Sequence, residues 1–233
     1  MNKFSFICLI SIFSLCLFAC SPSLTVNISS VEEVVVEFSS GMGDTIKETM
    51  YSVTGTDGQS PLFNKNAVSK NFEVSGFPVE SVEVDDNNLW VKTKATSFEE
   101  VEKFASGLIE NLTSTSVTMS LNPKKIQNMI EVLPEETVGF LDLLCAPIFT
   151  MEELTSEEYY EVLSAIYGKT LAEEALKSNF TIEFSVPKNK VIKTIDVKIP
   201  YSKTVKNQNK ARITIPLTEF LCNLGESKIS ISW

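Results

Sequence analysis

The residues of this chain that could do chemistry are carboxylates, lysines and tyrosines, because the sequence contains no histidine. Histidine is the usual general base near neutral pH, and serine and cysteine nucleophiles commonly depend on it. Glycoside hydrolysis by two carboxylates needs them roughly 5 to 10 Å apart across a cleft. The densest acids instead match the first turn of a helix, where carboxylates favour the helix dipole. They are Glu152, Glu153, Glu157 and Glu158.

Metal and phosphate sites are equally weakly supported by the sequence. The run Asp85-Asp86-Asn87-Asn88 resembles part of a calcium loop, but it lacks the full spacing and the terminal glutamate. It is typical of a hairpin turn. No pair of cysteines has metal-ligand spacing, and a lone Gly-x-Gly at Gly41 is poor evidence for a phosphate loop. We therefore expect a protein without catalytic residues, metal or cofactor.

The N-terminal segment has the order of a secretory signal peptide. Lys3 precedes an apolar run over residues 4–18, which ends at the small residue Ala19 before Cys20. The run is about 15 residues long, and a membrane-spanning helix needs about 20. One alternative is therefore an uncleaved transmembrane helix, which the short run disfavours. The other is an ordinary secretory signal with an unmodified Cys20.

The four residues Leu17-Phe18-Ala19-Cys20 resemble the lipobox of bacterial lipoproteins, although Phe18 stands where a small or β-branched residue is commoner. The resemblance implies that residues 1–19 are removed and that Cys20 is lipidated, which places the protein in the cell envelope as a lipid-anchored, palmitate-carrying lipoprotein. Ser21 is not the aspartate that retains some lipoproteins at the inner membrane, which favours the outer membrane. We predict a lipidated tether over residues 20–30 and a single domain over 31–233.

The hydrophobic periodicity predicts an α+β fold: a largely antiparallel sheet with helices packed on one face. A helical insertion is expected over residues 122–178. The order of elements distantly resembles that of uncharacterised envelope lipoproteins of the LppM type, which implies an envelope-anchored domain that contacts lipid. Strands are predicted at 31–38, 45–53, 79–84, 89–95, 117–121, 180–186, 190–199, 211–215 and 228–233, with 180–186 and 190–199 forming a hairpin. Helices are predicted at 60–70, 98–112, 122–133, 137–145, 155–176 and 217–224.

Two further cysteines lie in apolar surroundings, at Cys145 and Cys222. Buried thiols behave as small hydrophobic groups, whereas an exported chain also allows the two to form a disulfide. An aromatic-rich stretch around Pro147 is interpreted either as core or as the lining of a lipid-accepting groove. It consists of Phe140, Ile148, Phe149, Met151, Tyr159, Tyr160 and Tyr167.

The chain has a net charge of −10, which excludes nucleic-acid binding through bulk charge. Its C-terminal part is nevertheless basic, with a single acid, Asp196, among eight bases. They form either a solvated face or a binding face for anionic headgroups or an acidic partner. The bases are Lys188, Lys190, Lys193, Lys198, Lys203, Lys206, Lys210 and Arg212.

Three functions follow from these observations. The first is a non-enzymatic, membrane-anchored lipoprotein that binds a partner protein or an envelope lipid. The second is a structural or surface-exposed lipoprotein without a small ligand. The third is a carboxylate-dependent hydrolase of envelope polymers, which the missing histidine and the missing catalytic motifs disfavour.

Overall fold

The computed structural model describes residues 22–30, 32–41, 43–54, 65–74, 79–85, 88–97, 100, 109–121, 123–124, 127, 145–225 and 227–233. The predicted lipidation site Cys20, the aromatic residue Phe140 and most of the predicted helices at 122–133 and 137–145 lie outside this part of the chain. The described strands are β1 (Ser23–Ser30), β2 (Glu33–Gly41), β3 (Val79–Val84), β4 (Asn88–Ala95), β5 (Ile109–Leu112), β6 (Ser116–Leu121), β7 (Asn179–Ser185), β8 (Thr194–Val197), β9 (Lys203–Asn207), β10 (Lys210–Pro216) and β11 (Ser227–Ser232). The described helices are α1 (Asp44–Thr54), α2 (Lys65–Val74), α3 (Ala146–Thr150), α4 (Ser156–Tyr167), α5 (Lys169–Lys177) and α6 (Leu217–Cys222).

The strands form two sheets. The large sheet has seven strands in the order β3-β4-β2-β1-β7-β10-β9, and the small sheet has four in the order β5-β6-β11-β8. Every pairing is antiparallel except that of β1 with β7. The structure thus confirms the predicted α+β class with its largely antiparallel sheet.

The two faces of the large sheet differ because its strands alternate apolar and polar residues. The inner face presents buried side chains such as Val26, Val36 and Ile182, which join one hydrophobic core that also includes residues of the small sheet. Helix α6 packs on this inner face, where the rings of Phe180 and Phe220 lie 5.0 Å apart between centroids. The outer face carries the polar residues that alternate with these buried residues along each strand.

Strand β1 corrects the prediction of a tether over residues 20–30, because Ser23–Ser30 lie between β2 and β7 in the large sheet. Val26 is opposite Val36 on one side and Phe184 on the other, and it is only 1% exposed. The alternation of Leu24, Val26 and Ile28 is a strand pattern in a segment otherwise rich in serine and asparagine.

Two predicted element types in the N-terminal half were also wrong. Residues 45–53 were predicted as a strand, but they form helix α1, in which Thr49 Oγ1 donates a hydrogen bond to the carbonyl of Thr45 at 2.8 Å. The predicted helix at 98–112 does not reach its expected end, because Ile109–Leu112 form strand β5 and pair with β6. The β5–β6 pairing joins the segment to a sheet, and such tertiary contacts override local helical spacing.

The prediction of a hairpin between 180–186 and 190–199 was wrong as well. Strand β7 pairs with β1 and β10, whereas β8 belongs to the small sheet and pairs with β11. Pro147, which follows the helix predicted at 137–145, lies in the first turn of α3, where its missing N–H costs nothing. Gly168 divides the predicted 155–176 helix into α4 and α5, with a φ of 87° that favours glycine.

Candidate functional site

The outer face of the large sheet brings polar residues from distant parts of the chain into rows across the strands. One row runs over β4, β2, β1, β7 and β10 through Lys92, Glu37, Thr25, Glu183 and Arg212. The neighbouring row runs over β3, β4, β2, β1 and β7 through Glu83, Trp90, Ser39, Ser23 and Thr181.

Trp90 is the unusual residue of this face. Its side chain is directed away from the core because it alternates with buried Leu89 and Val91, and the residue is 42% exposed. Trp233, by contrast, is buried, and its indole N–H donates a 2.9 Å hydrogen bond to the carbonyl of Ser114. A large exposed aromatic side chain on a polar face is more informative than an ordinary exposed apolar residue.

A cleft of about 350 Å³ opens beside Trp90 on the outer face. Strands β1 to β4 all contribute to it, so the cleft depends on pairings between residues far apart in the sequence. It is lined by Ser23, Thr25, Glu37, Phe38, Ser39, Ser81, Glu83, Trp90, Val91 and Lys92.

The polar groups of this Trp90 cleft are ordered by their own contacts. Lys92 Nζ lies 2.9 Å from Glu80 Oε2 and 3.9 Å from Glu37 Oε1, and its hydrogen bond and charge interaction with Glu80 raise the pKa of the ammonium. The hydroxyls of Ser23 and Ser39 are 2.7 Å apart and hydrogen bonded. Within the described residues, the Glu83 carboxylate has neither a hydrogen bond nor an ion pair.

All eight predicted basic residues are exposed, but the structure brings only five of them together. The segment that follows β7 lies against the β9–β10 turn, because Ile192 N–H donates to the Gln208 carbonyl at 2.8 Å and Val186 N–H to the Asn209 carbonyl at 2.9 Å. Lys206 Nζ also donates to the carbonyl of Lys193 at 3.1 Å. We call the resulting group the basic end: Lys188, Lys190, Lys193, Lys206 and Lys210.

The other three bases lie elsewhere. Arg212 contacts Glu183 through Nε at 2.8 Å and through an Nη at 2.7 Å. Lys203 lies at the opposite end of β9, and Lys198 follows β8 in the small sheet. In the described part of the chain no ion pair involves a lysine of the basic end.

The aromatic residues around Pro147 mostly belong to the core rather than to a groove. Tyr159 and Ile148 are each 1% exposed, whereas Met151 is exposed. Phe149, Tyr160 and Tyr167 pack partly buried against the same core. Burial, followed by the nearby Cys145 and Cys222, raises the pKa of Tyr159 well above its usual value.

Cys145 and Cys222 are both buried and are not joined by a disulfide, so of the two predicted arrangements the structure has the buried thiols. Burial, with a smaller contribution from Glu219, raises the pKa of the Cys222 thiol to about 12. A thiol in that state is a poor nucleophile at neutral pH.

Of the four clustered acids, Glu157 and Glu158 lie in the first turn of α4, as the sequence predicted, whereas Glu152 and Glu153 precede the helix. Thr155 Oγ1 accepts the Glu158 N–H at 3.2 Å, and the Glu158 carboxylate accepts the Thr155 N–H at 2.8 Å. These bonds form a capping box at the start of α4. The Thr155 N–H and the Thr155 hydroxyl, which both donate to the Glu158 carboxylate, lower its pKa. Asp85 likewise serves a turn, since its carboxylate accepts the Asn88 N–H at 2.8 Å.

Among the residues that the structure describes, no cluster of acidic or cysteine side chains could hold a metal ion, and no helix is both long and apolar enough to cross a membrane. No protein-family model, no curated protein and no solved structure matches this chain. The Trp90 cleft was missed by the sequence analysis, although the alternation of Leu89–Ala95 already places Trp90 on the wet face with Lys92 and Lys94.

Proposed function

We propose that this protein is a lipid-anchored, non-enzymatic binding module of the bacterial envelope that holds an acidic partner protein at its basic end. The anchor part of the proposal is supported by the Leu17-Phe18-Ala19-Cys20 pattern. The binding part is supported mainly by one observation: a chain with a net charge of −10 gathers five exposed lysines, without ion pairs among the described residues, at one place. Such a local excess of positive charge attracts and orients an acidic surface.

The position of the basic end favours a protein partner over the bilayer that would hold the anchor. Cys20 stands three positions before Ser23, where β1 begins. Lys210 lies opposite Ser185 of β7, and Ser185 lies opposite Asn27, which is four residues after Ser23 in β1. Lys210 is therefore about 13 Å farther along the strand direction than Ser23. That displacement exceeds the Debye length of about 8 Å at physiological ionic strength.

Lipidation is tested by mass spectrometry of the mature protein and by labelling with a fatty-acid analogue. The processed chain should begin at Cys20 and carry the label, and Cys20→Ser should abolish labelling. Cys16→Ser is the matched control, because it removes a thiol from the segment that would be cleaved. Unlabelled wild-type protein, or equal labelling of the Cys20→Ser chain, would contradict the proposal.

Partner binding is tested in cells with a photocrosslinking amino acid at Val191, which lies between lysines of the basic end and is 62% exposed. We expect a discrete protein adduct that is lost in the triple variant Lys188→Glu, Lys190→Glu and Lys210→Glu. A control variant with three other exposed lysines reversed, Lys65→Glu, Lys70→Glu and Lys169→Glu, should keep the adduct. Equal loss in both variants would mean that overall charge, rather than the basic end, is responsible.

Anionic vesicles provide the competing outcome. If the purified protein cosediments with phosphatidylglycerol vesicles in a salt-sensitive manner and the triple variant does not, the basic end binds lipid rather than protein. The proposal predicts weak cosedimentation that is the same for both triple variants.

A further inference from the structure

The geometry of the Trp90 cleft points to a second binding site, one that takes a neutral, hydroxyl-rich ligand: a carbohydrate. This site is separate from the basic end and does not depend on the acidic partner. It has its own aromatic surface, its own hydrogen-bonding groups and a volume of about 350 Å³. That volume is at the lower end of the range of ligand pockets, roughly 300 to 1,000 Å³.

The aromatic surface comes from Trp90. An antiparallel sheet can bury one face and leave the other to solvent, and here the solvent face bears an indole where small or charged residues would suffice. Trp90 is flanked in register by Glu83 on β3 and by Ser39 on β2. A flat, exposed ring bordered by hydrogen-bonding groups suits a sugar, since a pyranose ring has an apolar C–H face and a rim of hydroxyls.

The charges of the lining select against anionic ligands. Glu37 and Glu83 would repel an anion such as phosphate, and both face the same cleft. Lys92 stands in the same lining, but its pairing with Glu80 at 2.9 Å leaves the lining acidic, so a cation is the competing ligand and choline is the comparator that tests it. A neutral ligand with many hydroxyls can use all three, because hydroxyls donate to carboxylates and accept from an ammonium.

The individual groups are positioned for this task without large rearrangement. The Glu83 carboxylate, which lacks a partner among the described residues, can accept two hydroxyl donors. The Ser23–Ser39 hydroxyl pair at 2.7 Å can offer its remaining donor or acceptor capacity beside the ring. The Ser23–Ser39 pair is already hydrogen bonded and loses little freedom on binding, whereas ordering the Glu83 side chain costs conformational entropy.

The test measures acrylamide quenching of tryptophan fluorescence in the processed protein, in a detergent without a sugar headgroup if detergent is needed. Trp90 should be accessible to the quencher, and buried Trp233 serves as the internal reference. The probes are neutral oligosaccharides of hexose and N-acetylhexosamine units, with choline and inorganic phosphate as charged comparators. We expect at least one oligosaccharide to protect Trp90 with a Kd of about 1 mM or tighter.

Variants then assign the binding, measured by calorimetry. Trp90→Ala should abolish it, and Glu83→Gln should weaken it about tenfold through the loss of a charge-assisted hydrogen bond. Tyr201→Ala is the matched control, because Tyr201 is an even more exposed aromatic residue at 79% and does not line the cleft. Binding unaffected by Trp90→Ala, or protection by choline equal to that by every sugar, would overturn the proposal. So would the absence of protection by any oligosaccharide.

A final comparison distinguishes a free glycan from a glycolipid headgroup. Vesicles of phosphatidylethanolamine and phosphatidylglycerol are prepared with and without a glycolipid that bears the sugar found to bind. Extra binding to the glycolipid vesicles that is lost in Trp90→Ala assigns a headgroup, and binding of the soluble sugar alone assigns a free glycan. Neither result depends on the acidic partner, so failure of the crosslinking experiment leaves this one intact.

Discussion

Replacing Val26 by alanine should destabilise the protein strongly, because β1 is a central strand of the large sheet. Val26 is 1% exposed and lies between Val36 and Phe184. The substitution removes two buried methyl-sized groups, at about 0.8 kcal/mol each, and adds the energy of the cavity that remains. We expect the free energy of unfolding to fall by about 2–3 kcal/mol.

The matched control is Thr25→Ala, which removes two heavy atoms from the neighbouring residue on the outer face of the same strand. Thr25 is only half-buried, so the substitution should lower the free energy of unfolding by less than about 1 kcal/mol. Urea unfolding followed by circular dichroism measures both values. For a chain of this size, Val26→Ala should also lower the Tm by about 4–12 °C.

The result that would refute this reasoning is equal stability of the two variants. If β1 were a tether, as the composition of residues 20–30 first indicated, both substitutions would change the free energy of unfolding by no more than about 0.5 kcal/mol. A difference of at least about 1 kcal/mol between them requires that Val26 be packed in the core.

Four more measurements follow from the same structure. Thr155→Ala should lower the free energy of unfolding by about 1 kcal/mol through loss of the capping box, whereas Thr170→Ala, at an exposed position in α5, should change it little. Because the pKa of Glu158 is lowered in the folded state, its contribution should be present above the unfolded carboxyl pKa and be lost as the pH falls through the lower folded value; urea midpoints of Glu158→Gln and wild type should therefore converge in acid. Burial raises the pKa of Tyr159, and it raises that of Tyr167 to about 12. The contribution of the two neutral phenols to the free energy of unfolding should therefore be complete below pH about 10 and decline as the pH rises toward 12. The decline should be shallower in Tyr159→Phe. Cys222, with its pKa raised to about 12, should resist a thiol-reactive dye at pH 8 in the folded protein and react on unfolding in urea; rapid labelling of the folded chain would contradict its burial.

Local alternation predicted some of the strands whose partners are close in sequence, although not β1 and β5. The β3–β4 hairpin was recognisable because Val79–Val84 and Leu89–Ala95 alternate around a turn that Asp85 and Asn88 close. Both alternation and turn chemistry act within a few residues, so the sequence alone contains them. The capping box at Thr155 belongs to the same category.

The errors at β1 and at the predicted hairpin of 180–186 with 190–199 occurred where distant pairing decides part of the structure, whereas those at 45–53 and 98–112 did not. Strand β1 is short in apolar residues, and its place in the sheet depends on β7, more than 150 residues later in the chain. The segment after Pro187 has the alternation of a hairpin partner, yet β8 pairs with β11 because β7 already has neighbours on both edges. For β8 no local pattern distinguishes the two possible partners, since each strand satisfies the same period of two.

The Trp90 cleft likewise combines one feature that the local sequence predicts with another that depends on strand pairing. That Trp90 faces solvent follows from alternation within β4, but that Ser23 and Ser39 stand beside it requires the β1–β2 and β2–β4 pairings. The candidate site could therefore be predicted from the sequence as one outward tryptophan, and not as a cleft.

The correction at β1 also changes what a lipid on Cys20 would mean for the molecule. With a tether over residues 20–30 the domain would move freely above the bilayer, whereas with β1 beginning at Ser23 only three residues, Cys20 itself, Ser21 and Pro22, lie between the lipid and the sheet. Those residues span at most about 11 Å. Ser23 lines the Trp90 cleft, so the cleft would be held within reach of the headgroups, while the basic end lies toward the other end of the strands. In a lipid-anchored form of this fold, the two proposed sites would therefore lie toward opposite ends of β1. The proposed sugar site would be near the membrane, and the proposed site for an acidic protein would be farther from it.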